Sequence, residues 1–457
     1  MTSNEIDFSR ETALKILYEI NEKQAYSNIA INNYLSNTAL RNIDKEFITG
    51  LVYGTIKWKL TIDWIIERFS SIPVKKISPW IFNILRLGIY QLLYTDRIPA
   101  SAACNESVKL ALKYGHRASA NFVNGVLRNI DRNRSRIEYP FKDSEKPDEK
   151  AKYLSLRYSY PEWLVKNWLQ LYGDKFTVDL LESGNENPDF TIKVNTLKIS
   201  VQEFEKIMEE RGIKYYRGKY IDSAFIIENP AVLTGSGILD KGYCHVQDES
   251  SMLAVEILDP QPGELVMDVC AAPGGKSAYM AEKMGNKGLI ISRDIYQHKI
   301  KLITTLAQKL GINIIKAELH NATLTDQEHL KKADRVLVDA PCTGLGIIRR
   351  KPDIKWARTP EEKEEITRLQ LNILKASAEY VKPGGVLVYS TCTIGPEENM
   401  DVVRNFLDSN SGFYMEGFDE KRISENILKD TAREGYIELF PNIDKTDGFF
   451  VARMRRR

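Results

Sequence analysis

From about Lys241 onward, four short apolar runs recur at strand length: ELVMDVC, GLIISRD, RVLVDAP and GGVLVYST. Helical segments separate them: KSAYMAEKMG, QHKIKLITTLAQKLG and EEITRLQLNILKASAEYV. Strands that alternate with helices fold as a parallel, doubly wound sheet. In such a sheet a ligand binds beyond the carboxyl ends of the strands. Two cysteines stand there, Cys342 in VLVDAPCT and Cys392 in VYSTCT.

The rest of the chain follows other rules. Up to about residue 140 the apolar positions keep helical spacing, as with Ile81, Ile84, Leu85, Gly88 and Leu92, or Phe122, Val126, Leu127 and Ile130. This predicts an all-α bundle. Phe141–Lys152, FKDSEKPDEKAK, is charged, contains a proline and has no period, and reads as a linker. Tyr153–Asp240 combines helical patterns at Tyr160–Gly173 and Val201–Gly212 with an alternating strand at Asp189–Thr196, a small α+β domain. Residues 241–457 form the α/β domain.

Composition excludes several classes. With 457 residues, 43% hydrophobic and 28% charged, the chain is long enough for several cores. No apolar run approaches membrane-spanning length. The start, MTSNEIDFSRETALKIL, lacks the basic and apolar blocks of a secretory signal, so a cytoplasmic location is expected. The five cysteines, Cys104, Cys244, Cys270, Cys342 and Cys392, form no C-x-x-C pair and no zinc spacing, so neither a metal nor a disulfide framework is expected. A net charge of +2 does not announce a nucleic-acid binder. Two arginine clusters, Arg128, Arg132, Arg134 and Arg136, and Arg453 to Arg457, read equally well as solvated faces or as phosphate contacts.

The first strand of the sheet runs into DVCAAPGGKSA, Asp268–Ala278. A Gly-Gly turn between strand and helix lets backbone N–H groups approach a ligand. A phosphate loop is a weak reading, because Cys270 occupies its first glycine position. The dinucleotide fingerprint is absent, which disfavours a nicotinamide-dependent dehydrogenase. S-adenosylmethionine needs fewer glycines and an acid at the end of the next strand for its ribose. Asp294 lies there, about twenty residues past Gly275.

A thiol at a ligand-facing strand end can act as a nucleophile when part of it is thiolate. Carbon 5 of a pyrimidine is a poor nucleophile towards a methyl sulfonium. A thiolate that adds to C6 makes C5 enamine-like and reactive. Asp339, three residues before Cys342, is placed to hydrogen-bond the N3/N4 edge of a cytosine. The residues alone do not rank the two cysteines.

CAAPGGK at Cys270–Lys276, DAPCTG at Asp339–Gly344 and STCT at Ser390–Thr393, in this order and each at a strand end, resemble the RNA cytosine-C5 methyltransferases of the NOL/NOP/Sun type. The helical front resembles the NusB-like RNA-binding module through LVYGTIKW, LRLGIYQLLYTDRIPASAACNESV and FVNGVLRNI. The resemblance covers nearly the whole chain. It implies a NusB-like bundle, a small α+β domain and a class I, Rossmann-like methyltransferase domain. It implies S-adenosyl-L-methionine as cofactor and 16S ribosomal RNA, free or in an assembling small subunit, as partner, with the protein a monomer. Cys392 would be the nucleophile, Cys342 would assist release, and Asp339 would be the acid between cytosine and cofactor. Cys270, Ala271, Ala272, Pro273, Gly274, Gly275 and Lys276 would form the cofactor loop, and Asp294 would hold the ribose.

Some positions depart from the pattern. Asn321, in HNAT, stands where the family has an adenine-binding acid; its carbonyl oxygen can take the role, or Asp326 can. Arg293 stands beside the ribose acid, Tyr160 where a histidine is common, and Thr343 where serine is usual. Cys270 reads as a packing residue. The acids of GPEEN, Gly395–Asn399, read as helix-start charges. Lys193 and Asn195 read as active-site or structural residues. RRKPDIKW, Arg349–Trp356, reads as an RNA contact through phosphates and stacking. Two rivals stay open, the same chemistry on transfer RNA and a non-catalytic NusB-like RNA-binding factor.

Overall fold

The computed structural model describes residues 6–36, 40–419 and 429–457; the first five residues of the N-terminal leader reading lie outside them. The chain divides into two compact units. One is Met1–Glu186 with Ile348–Ala357, the other Asn187–Ile347 with Arg358–Arg457.

The first unit is helical. Helices Pro79–Tyr94, Ala100–Tyr114 and Arg117–Arg132 bury the predicted apolar stripes, including Ile84, Leu85, Val126, Leu127 and Ile130. Gly88 permits their close approach, since a Cβ there would lie 2.8 Å from Ser107 Oγ and 2.9 Å from a Leu127 methyl. The segment expected as a linker holds the start of a helix, Pro147–Tyr158. Pro147 opens this helix, where proline costs no hydrogen bond. By compactness that helix, with Glu162–Tyr172 and Asp174–Ser183, groups with the helical unit.

The second unit contains two sheets. The small one comprises β1 (Thr191–Val194), β2 (Tyr215–Arg217), β3 (Ala224–Ile227) and β4 (Cys244–Val246), antiparallel in the order β2-β3-β1-β4. The large one comprises β5 (Leu265–Asp268), β6 (Leu289–Asp294), β7 (Ile315–Leu319), β8 (Ala333–Asp339), β9 (Val381–Thr391), β10 (Phe413–Met415), β11 (Tyr436–Leu439) and β12 (Phe449–Arg456). Its order is β10-β12-β9-β8-β5-β6-β7, with β11 on β12. The strands from β7 to β9 run parallel, and β12 runs antiparallel to β9. Val266 packs into one core and Met267 into the other. A strand covered on both faces must be apolar at every position, which is why these strands read as continuous apolar runs.

The two sheets form one unit because polar side chains tie them. Lys193 Nζ, fully buried, lies 2.6 Å from Glu282 Oε2 and donates to the carbonyl of Val194. Asn195 Nδ2 donates to the carbonyls of Gly242 and Leu310. Both residues are therefore structural.

Candidate active site

Five candidate positions stand at the carboxyl ends of five neighbouring parallel strands. Cys270 follows β5, Asp294 ends β6, Asn321 follows β7, Cys342 follows β8 and Cys392 follows β9. The strand order turns between β5 and β8, where such sheets open a crevice.

The loop Cys270–Lys276 spans the end of β5 and the start of helix Gly275–Lys283. Gly274 adopts φ +108°, a conformation that glycine supplies without strain. The side chain of Gln247 lies against Gly275, 3.6 Å from where a Cβ would stand, and its Nε2 has no partner among the described residues. Sequence reasoning missed Gln247, because a polar residue after a short strand carries no local signal. Asp268 is fully buried. Its Oδ2 accepts from Ser277 at 2.6 Å, while Oδ1 has no partner among the described residues. Burial pushes its pKa up to about 7, opposed by the Ser277 hydrogen bond.

Lys276 Nζ contacts Asp339 Oδ2 at 2.7 Å, and Ser390 donates to Asp339 Oδ1 at 2.9 Å. Burial disfavours the Lys276 charge, but Asp339 and then Cys392 outweigh it, so its pKa lies above the ordinary lysine value. Cys342 Sγ and Cys392 Sγ lie 3.3 Å apart. Gly346 N donates to the carbonyl of Cys392 at 3.1 Å, which joins the two loops through the backbone. The Cys342 thiol is pushed well above its ordinary value by its hydrogen bond with Cys392, then by burial, then by the charges of Cys392 and Glu398.

Glu398 was read as a helix-start charge and proves otherwise. It is buried, and its Oε2 accepts from Thr343 N at 2.9 Å and from Gln370 Nε2 at 3.0 Å. Its Oε1 accepts from Thr343 Oγ1 at 2.5 Å, and that hydroxyl lies 2.7 Å from Thr393 Oγ1. The neighbouring Glu397 pairs with Lys363. The partners of Glu398 are distant in sequence, so its role left no local pattern.

Asp294 accepts from Tyr296 N at 3.2 Å and lies 3.4 Å from Lys299 Nζ. Arg293, its neighbour, is buried and pairs with Glu318 at 2.9 Å and Asp326 at 2.6 Å. Asp326 also accepts from Glu328 N, so it is committed and does not replace the missing acid. Asn321 Oδ1 accepts from Thr323 N at 3.0 Å and Thr323 Oγ1 at 2.9 Å. The oxygen expected to face an adenine amino group is thus already engaged. Burial raises the Cys270 thiol far above its ordinary value, in keeping with a packing role.

Two basic segments depart from expectation. Lys355 is buried in the helical unit, 2.8 Å from Asn185 Oδ1 and 3.6 Å from the Tyr160 ring centroid. Trp356 Nε1 donates to the carbonyl of Ile56. This pair is packed, not presented for stacking. At the chain end, Arg453 is buried on Glu416, Arg455 shares that carboxylate, and Arg456 bonds the carbonyls of Ala378 and Val381. Arg128, Arg132, Arg134 and Arg136 remain exposed.

This sheet, with its glycine turn and its row of strand-end residues, is that of a methyltransferase domain, here joined to a ferredoxin-like sheet and a NusB-like bundle. Residues 255–455 match the family described as 16S rRNA methyltransferase RsmB/F, residues 8–132 the NusB family, and residues 160–234 the RsmF/B-like ferredoxin-like domain. The chain is 38% identical to the probable ribosomal RNA small subunit methyltransferase B of Bacillus subtilis (strain 168), over 98% of each chain. It is 34% identical to the protein of the same description from Synechocystis sp. (strain ATCC 27184 / PCC 6803 / Kazusa), over 98% of this chain and 99% of the other. The solved structure of PH0851 superposes with a TM-score of 0.81 at 27% identity, over 99% of each chain. A methyltransferase homolog protein from Pyrococcus horikoshii superposes with a TM-score of 0.58 at 28% identity, over 69% of this chain and 100% of the other. The chain belongs to the RsmB/F methyltransferase family.

Proposed function

We propose that this protein methylates carbon 5 of a cytosine in 16S ribosomal RNA, in the cytoplasm, through a covalent bond between Cys392 and C6 of the base. The observation that carries the reading is the pair of thiols 3.3 Å apart at the ends of adjacent strands, beside the Lys276–Asp339 ion pair. The descriptions of the relatives supply the substrate class.

The site fits S-adenosylmethionine. Gly274 supplies the left-handed conformation of the turn, Asp294 suits a ribose, and the orphaned Asp268 oxygen suits a cationic ligand. When bound, that cofactor supplies an electrophilic methyl group for carbon 5. The chain's own residues hold and activate the base. The thiolate of Cys392 adds to C6 of an extruded base. Asp339 accepts from the N4 amino group and, with Lys276, fixes the ring. The C5 proton then passes to solvent water, its bonding pair forms the C5–C6 double bond, and the C6–S bonding pair returns to Cys392, with Cys342 assisting. Exposed Arg128, Arg132, Arg134 and Arg136 suit RNA phosphates.

The test is a denaturing gel of labelled 16S RNA fragments incubated with cofactor and with wild type, Cys342→Ala or Cys392→Ala protein. Cys342→Ala is expected to accumulate a covalent RNA–protein band. Cys392→Ala is expected to show neither band nor methyl transfer. A band formed by Cys392→Ala and absent from Cys342→Ala would reverse the two roles. Absence of methylation by wild type on 16S RNA would refute the reading.

A further inference from the structure

Two sulfurs in contact can share one proton, and nothing in their own chemistry says which sulfur keeps it. The surroundings are not symmetric. On the Cys342 side stands Glu398, buried, with four donors converging on its two oxygens: Thr343 N, Thr343 Oγ1, Gln370 Nε2 and, at 3.4 Å, Thr393 Oγ1. That is the pattern an ionised carboxylate requires, since it only accepts. Thr343 directly follows Cys342. On the Cys392 side stands the ammonium of Lys276, held against Asp339.

We propose that Glu398 is a positioning residue that keeps the shared proton on Cys342, so that Cys392 is the sulfur that attacks as thiolate. This rests on the covalent reading above and deepens it. The negative charge at Glu398 disfavours a second negative charge at Cys342, and the positive charge at Lys276 favours one at Cys392. The Cys342 S–H then donates to the Cys392 sulfur. The same hydrogen bond serves both ends of the reaction. It stabilises the Cys392 thiolate before attack, and it stabilises the same thiolate when the C6–S bond breaks. The electron pair of that bond returns to Cys392, and the proton stays on Cys342 throughout. Polar groups near Cys342 also include the Tyr389 hydroxyl, which donates to the Glu398 carbonyl, the Thr343 and Thr393 hydroxyls, and Arg358, which donates to the Thr343 carbonyl.

The test is alkylation of the full-length protein with iodoacetamide across a pH series, without RNA or cofactor. Each cysteine is read on its own peptide by mass spectrometry. Access changes the plateau rate of alkylation, whereas charge changes its midpoint pH. In wild type, Cys392 is expected to react at the lower midpoint. Glu398→Gln is expected to lower the Cys342 midpoint by about one pH unit or more, so that Cys342 gains about tenfold on Cys392 near neutrality. Glu398→Asp, which keeps the charge, is expected to keep the wild-type midpoint even if its plateau changes. Identical Cys342 midpoints in wild type and Glu398→Gln would overturn the proposal. So would equal shifts in both variants, which would mean that geometry and not charge is at work. The alkylation reads the thiols whether or not the RNA reaction occurs, so failure of the RNA gel and failure of this proposal are separate results.

Discussion

At the scale of single residues, the site turns on groups whose partners are already assigned. Asp268 is raised to about 7 chiefly by burial. A raised aspartate means that the folded chain holds a proton the unfolded chain has lost. Stability therefore falls as pH rises from about 4 to about 7, and stays low above. Asp268→Asn imitates the neutral acid. In urea unfolding of the ligand-free protein it is expected to be more stable than wild type at pH 8, by an amount on the order of 4 kcal/mol, with the difference gone near pH 4. A gain that persists at low pH would assign the effect to packing instead. Asn321 invites a second substitution. Its oxygen is engaged by Thr323, which leaves the amide nitrogen, a donor, where the proposed reading puts the adenine amino group. Asn321→Asp turns that donor into an acceptor. Calorimetry is expected to show S-adenosylmethionine binding about tenfold tighter, the worth of one hydrogen bond to a charged group.

At the scale of elements, the proposed chemistry depends on two loops held in register. The loop after β8 and the loop after β9 meet through Gly346 N on the Cys392 carbonyl, and Gly448 N bonds the Gly346 carbonyl in turn. A Cβ at residue 346 would run into the backbone oxygens of Gly448 and Cys392. Backbone cannot yield as a flexible side chain would. Gly346→Ala is therefore expected to cost about 1–3 kcal/mol in stability. It is expected to cost about a hundredfold or more in kcat, since the two sulfurs would be misplaced by a sizeable fraction of an ångström. Single-turnover methyl transfer on RNA measures the second effect. A variant with unchanged kcat would show that the loops tolerate displacement. The strands that carry these loops were legible in the sequence. Their contact was not, because it is made by Glu398, Gln370 and Gly346, whose partners lie far along the chain.

At the scale of the whole molecule, the second unit is bound together by a buried ion pair. Lys193, on β1, is paired with Glu282, on helix Gly275–Lys283. Both side chains are almost wholly out of water. Lys193→Met would leave Glu282 uncompensated and is expected to destabilise the unit by about 3–5 kcal/mol in urea unfolding. Replacing both residues by methionine is expected to recover most of that loss, because a well-packed apolar pair avoids the desolvation cost. If the double variant were as unstable as the single one, the pair would matter for more than its charge balance.

The sequence by itself determined the doubly wound sheet, the helical bundle and the strand-end positions of Cys270, Asp294, Asp339, Cys342 and Cys392; the strand before Asn321 was not among its apolar runs. Strands buried on both faces must be apolar throughout, and helices packed on one face must repeat at helical spacing, so burial writes these elements into local pattern. The tertiary structure alone decided which polar groups meet. It set Glu398 behind Cys342, bound Asp326 to Arg293, placed Lys355 and Trp356 in the helical unit, and buried Arg453 on Glu416. Hydrogen bonds and ion pairs act over a few ångströms in space, whatever the distance along the chain. Their partners become readable only when folding has brought the chain together.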